Sequence, residues 1–158
     1  MAELRQLLTD AGYDDVQTYV QSGNIALTSQ AKPAALERDL AKLLEQRFGF
    51  AVPVIARGRA ELEAVVALNP LGDVADNPKR YQVSFLSERL KPDAAERLRT
   101  LAAEPERVAV HGREIYAWHP GGVARSKLWN ALAGTSLGVT ATARNWTTVC
   151  KLLEMAGD

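Results

Sequence analysis

Arg107-Val108-Ala109-Val110-His111-Gly112-Arg113-Glu114-Ile115-Tyr116-Ala117-Trp118 is the stretch that decides the fold class. Two runs suited to strands, 107–110 and 114–118, flank His111-Gly112, a pair suited to a tight turn. A hairpin is antiparallel by construction, so a purely parallel, doubly wound sheet is excluded here. The same arrangement occurs earlier in the chain. Val16, Thr18 and Val20 alternate along one strand, Ile25 and Leu27 along the next, and Gln21-Ser22-Gly23-Asn24 supplies the turn.

Helical patterns surround both hairpins. Leu4, Leu7, Leu8 and Ala11 keep the i, i+3, i+4, i+7 spacing of one apolar face, and Gly12 ends that helix. Residues 34–48 carry the clearest stripe (Leu36, Leu40, Leu43, Leu44), opened by Pro33 and closed by Gly49. The short apolar run 52–56 then predicts a strand. Residues 60–68 predict a helix stopped by Asn69-Pro70, because the residue before proline disfavours the α region. Residues 71–79 form a loop rich in Gly, Asp, Asn and Pro. Beyond it come a strand at Tyr81–Leu86, a helix over 93–103, the quoted hairpin, a short helix over 126–133 ended by Gly134, a strand over 139–143 and a helix over 146–156. Helices alternating with hairpins predict an α+β fold with antiparallel sheets. A βαββαβ unit used twice generates most of the order, with a first half over 1–70 that lacks its first strand and a second over 71–158.

Composition narrows the function classes. The 158 residues are 47% hydrophobic and 24% charged, an ordinary globular balance that excludes wholesale disorder. No apolar run approaches the ~20 residues of a membrane helix, and no signal peptide is visible, so a cytoplasmic protein is expected. The single cysteine, Cys150, excludes an intramolecular disulfide and a cysteine-only metal site. No cofactor or metal motif is present. The formal net charge of zero hides an asymmetry: between Glu114 and Glu154 there is no acidic residue, while Arg125, Lys127, Arg144 and Lys151 lie inside. A local excess of this kind attracts anions even on a neutral protein.

The strings Thr18-Tyr19-Val20-Gln21-Ser22-Gly23-Asn24-Ile25 and Thr142-Ala143-Arg144-Asn145-Trp146-Thr147-Thr148-Val149 are long and unusual. With Asn69-Pro70, Phe85-Leu86, Ile115-Tyr116 and Ser126-Lys127 at matching intervals, the chain resembles the bacterial domain-of-unknown-function 1697 family. The resemblance implies two tandem ferredoxin-like halves and no assigned activity. Members usually begin with a further strand and a glycine turn, the piece that the first half is expected to lack.

Three groups of residues are candidates for chemistry. Gly121-Gly122-Val123-Ala124-Arg125-Ser126-Lys127 places glycines and then Arg125, Ser126 and Lys127 at the start of a helix, a pattern that suits an anion; a loop with a Ser126 cap and two solvated cations explains it equally plainly. Arg144 and Asn145 precede the last helix, where Asn145 suits a cap and Arg144 suits a salt bridge or an anion. Ser22 and Asn24 suit a turn, and also the lining of a site at the end of a sheet. Glu104, Glu106 and Glu114 show no pairing logic in sequence. These features support a binding protein for a small anionic ligand or a partner. An enzyme acting on a phosphorylated or nucleotide substrate would use the same cations. Single-strand nucleic-acid binding over Tyr116 and Trp118 is a third reading, disfavoured by the absence of a domain-wide basic excess.

Overall fold

The computed structural model describes residues 2–19, 23–133 and 137–156. Val20, Gln21 and Ser22 of the first turn, and Gly134 at the expected end of the short helix, lie outside them. The elements run α1 (Ala2–Asp10), β1 (Asp14–Tyr19), β2 (Asn24–Thr28), α2 (Pro33–Phe48), α3 (Arg59–Leu68), β3 (Tyr81–Leu86), α4 (Pro92–Leu101), β4 (Arg107–His111), β5 (Glu114–Trp118), α5 (Lys127–Ala133), β6 (Ala141–Asn145) and α6 (Trp146–Met155). They fall into two compact units, one of residues 1–64 with 150–158, the other of Val65–Val149. Both sheets are antiparallel, as expected for α+β.

The first unit holds a two-stranded sheet, β1 against β2, with Tyr19 opposite Asn24 and Thr18 opposite Ile25. Its register slips between Asp14 and Gln17, where Asp15 takes a φ of +53° and accepts a hydrogen bond from the Thr28 hydroxyl at 3.0 Å. Helix α2 begins at Pro33, whose missing N–H costs nothing there, and ends at Gly49. Gly49 stands at φ +80° and donates its N–H to the Glu45 carbonyl at 2.8 Å, the left-handed cap that glycine makes most cheaply. Leu8, Leu40, Leu44 and Leu62 are buried.

Residues 52–56 do not form the strand that their apolar character predicts. The Ala56 N–H goes instead to the Glu37 carboxylate at 2.7 Å. Apolar sequence is not enough for a strand. It also needs a neighbouring backbone, and among the described residues none pairs with this segment.

The second unit runs β3-α4-β4-β5-α5-β6, a full βαββαβ order. Its sheet is ordered β4-β5-β3-β6, so β3 is bonded on both sides. Ser84 stands opposite both Ile115 and Ala143, and Val83 opposite both Tyr116 and Arg144. Opposite residues share a face, so the sheet divides cleanly. One face carries Ile115 and Ala117 into a core with Leu98 of α4 and Leu128, Ala131 and Leu132 of α5. The other carries Tyr81, Val83, Tyr116 and Trp118, all buried. Tyr116 donates its hydroxyl to the Val65 carbonyl of α3 at 2.9 Å. Tyr81 stacks on Trp146 at a centroid distance of 4.7 Å and donates its hydroxyl to the Asn69 side chain at 2.9 Å. Burial pushes the Tyr81 phenol up to about 12. Strand β6 lies two residues later than the 139–143 expected, which puts Arg144 and Asn145 on the strand itself.

Candidate functional site

Register in the second unit gathers chain segments that are far apart in sequence. Tyr81 opposes Trp118, Arg107 opposes Trp118, and Gln82 opposes Asn145. The start of β3, the start of β4, the end of β5 and the end of β6 therefore share one end of the sheet. Backbone bonds tie them together. The His119 N–H donates to the Arg80 carbonyl at 3.0 Å, and the Trp146 N–H to the Pro78 carbonyl at 3.1 Å. The Arg80 guanidinium donates to the Pro120 carbonyl. Arg80, Arg125, Lys127, Arg144 and Asn145 all belong to this end.

The loop from His119 to Ser126 crosses it. Arg125 and Lys127 are exposed, and Lys127 is the first residue of α5. Ser126 is buried and caps that helix: its hydroxyl oxygen accepts the Trp129 N–H at 3.0 Å. The same hydroxyl donates to Glu106 Oε2 at 2.6 Å, and that oxygen also meets His119 Nδ1 at 2.7 Å. His119 is fully buried, with its ring edge-on to Trp129 at 5.8 Å. Burial alone would raise the Glu106 pKa. The hydrogen bonds from Ser126 and His119 outweigh burial and hold the carboxyl below the usual glutamate value. At neutral pH Glu106 is thus an ionised acceptor of two protons' worth of hydrogen bonding.

Arg144 lies on the sheet face opposite α4 and α5, beside Val83. Its Nη1 donates to the Thr142 hydroxyl at 2.7 Å and to the Ala143 carbonyl at 2.8 Å. Burial pushes its pKa down from the ordinary arginine value. Asn145 caps α6, accepting the Thr148 N–H at 2.9 Å.

The match to the family described as protein of unknown function (DUF1697) extends over residues 1–116. The chain belongs to this family. A solved relative, the conserved bacterial protein SP0830 from Streptococcus pneumoniae, is 26% identical, with a TM-score of 0.71 over 99% of this chain and 88% of that one. No curated protein matches the chain.

In this DUF1697 member the expected site residues divide. Arg125, Ser126, Lys127, Arg144 and Asn145 share one end of the second sheet. Asn24 lies in the first unit, buried, its side-chain amide donating to the Tyr19 carbonyl at 3.1 Å across the hairpin. Ser22 lies outside the described residues. Sequence reading missed Arg80, Glu106 and His119. Glu106 is 13 residues from His119 and 20 from Ser126, and only the strand register brings the three together. Tyr116 and Trp118 are too buried to serve as stacking platforms for bases. Among the described residues no three His, Cys, Asp or Glu side chains cluster as metal ligands, and no helix is long and apolar enough to cross a membrane.

Proposed function

We propose that the protein is a non-catalytic cytoplasmic binding protein, and that its second unit takes a small anionic ligand, such as a nucleotide or sugar phosphate, at this end of the sheet. The observation that carries the reading is that Arg80, Arg125, Lys127 and Arg144 come to one end of the sheet from three separate segments. Two of the acids nearby are already engaged: Glu104 pairs with Arg107 at 2.9 Å, and Glu106 accepts from His119 and Ser126. Cations on several short segments give an anion several charge-assisted donors at once.

Ser126 argues for binding over turnover. Its proton is directed at a carboxylate whose pKa is held low, and a weak base does little to activate a hydroxyl at neutral pH.

A thermal-shift series against nucleotides, sugar phosphates and related metabolites tests the reading. A ligand at a hundredfold excess over Kd adds about 2.7 kcal/mol to apparent stability. The stabilisation should disappear in the double variant R80A/K127A. No stabilisation by any anion, or full stabilisation of that variant, would overturn it. Turnover of a phosphoester panel that vanishes in Lys127→Ala would establish an enzyme instead.

A further inference from the structure

We propose that Glu106 is a positioning residue for this site: one oxygen of its carboxylate clasps both ends of the loop from His119 to Ser126, and so sets where Arg125 and Lys127 stand. The clasp itself rests on geometry; its consequence for ligand binding rests on the anion reading above.

Besides Glu106, the start of the loop is held by the His119 N–H on the Arg80 carbonyl and by the Arg80 guanidinium on the Pro120 carbonyl. Within it the Gly122 N–H donates to the His119 carbonyl at 2.9 Å and the Ser126 N–H to the Val123 carbonyl at 3.2 Å. Gly121 and Gly122 have open space where a Cβ would stand, and Gly122 sits at φ +85°. An unpacked glycine pair has many conformations to lose, so the fixed ends decide the path. Those ends meet at Glu106, whose side chain is only 12% exposed.

The proton directions form one consistent set. An ionised Glu106 only accepts, so His119 Nδ1 carries its hydrogen toward it, and the Ser126 hydroxyl turns its hydrogen the same way. That leaves the Ser126 oxygen free to accept from Trp129. Among the described residues His119 Nε2 is buried with no partner, so the bond to Glu106 is the one side-chain hydrogen bond its ring makes there. The neighbouring Arg107 does not compete, since its Nη1 turns to Glu104 and to the Pro105 and Glu106 carbonyls.

The test compares wild type, Glu106→Ala and Glu106→Gln, with Glu104→Ala as an exposed neighbour. Backbone exchange at Gly122 and Trp129 reports the loop, with Val83 and Ile115 as the internal reference. Inorganic phosphate, titrated by calorimetry, reports the site. The clasp requires loop exchange to quicken at least about tenfold in Glu106→Ala while the reference amides hold. It also requires phosphate to bind about fivefold more weakly, through lost pre-organisation. Plain electrostatics forecasts the opposite, because a negative charge has been removed. Glu106→Gln keeps shape without charge and should fall between; it decides the matter if the alanine variant does not fold. Glu104→Ala should leave the loop unchanged. Exchange within about twofold of wild type in both Glu106 variants, or tighter phosphate binding, overturns the proposal. If wild type binds no phosphate, the anion reading fails, and the exchange measurement alone decides the clasp.

Discussion

The two units use one order of elements with one difference. In the first, α1, β1, β2 and α2 follow each other as α4, β4, β5 and α5 do in the second, and residues 52–56 fall where β6 falls. The element without a counterpart among the described residues is β3. In the second unit, β5 and β6 do not pair with each other; each pairs with β3. Taking β3 out of such a sheet leaves a hairpin and a detached segment, which is what the first unit shows. A central strand therefore does more than add its own bonds: it makes strands of its neighbours.

Amide exchange should display this difference most strongly. Residues 82–85 of β3 lie between two bonded strands, whereas β2 pairs only with β1 among the described residues. Amides of β3 should exchange about a thousandfold more slowly than those of β2, as core and locally opening segments do. Equal rates would mean that β2 has a second partner in solution.

Side chains on the corresponding strands β5 and β2 should differ next. Ile115 of β5 is fully buried in the helix-covered core, and Leu27 of β2 is half-buried. Ile115→Ala should cost about 3–4 kcal/mol, the usual range for emptying a packed aliphatic site. Leu27→Ala should cost about 1 kcal/mol. Trp118, Trp129 and Trp146 all belong to the second unit, so urea unfolding followed by their fluorescence reports that unit alone. A clear shift of that transition in Leu27→Ala would show that the units unfold as a single block.

The same contrast explains what could be read from the sequence. The extent of α2 was legible because Pro33 and Gly49 act on backbone within one turn. The quoted hairpin was legible because its turn and alternation are local, and its pairing runs from Arg107–Trp118 to His111–Glu114 as the turn dictates. Residues 52–56 were misread because strand formation depends on a neighbour that composition does not reveal. Arg125, Lys127 and Arg144 stood out through the missing acids around them. Glu106 did not, because a carboxylate's partner across 13 or 20 residues is fixed by register and not by spacing.

Acid should affect the second unit through Glu106. Its pKa in the folded state lies below the unfolded value of about 4.3, so its contribution is complete above that pH and is lost as pH falls through the folded value. The gap in urea midpoint between wild type and Glu106→Gln should therefore be widest near neutrality and close toward pH 3. A gap that widens in acid would mean that the carboxyl is held neutral in the folded protein.

Aromatic residues give the smallest expected effect and the last contrast. In the second unit Tyr81, Tyr116 and Trp118 are buried. In the first, Phe48 and Phe50 are 37% and 62% exposed, their rings tilted at a centroid distance of 6.3 Å, with the Arg47 guanidinium 5.5 Å from the Phe48 ring. A ring that stays largely in water contributes little apolar burial on folding, and an exposed cation–π contact adds at most about 1 kcal/mol. Phe50→Ser removes the more exposed ring and leaves the Arg47–Phe48 contact in place. Its midpoint by far-ultraviolet circular dichroism should stay within about 0.5 kcal/mol of wild type. A loss above about 1 kcal/mol would require Phe50 to be covered in solution, and the first unit would then bury an aromatic side chain as the second does.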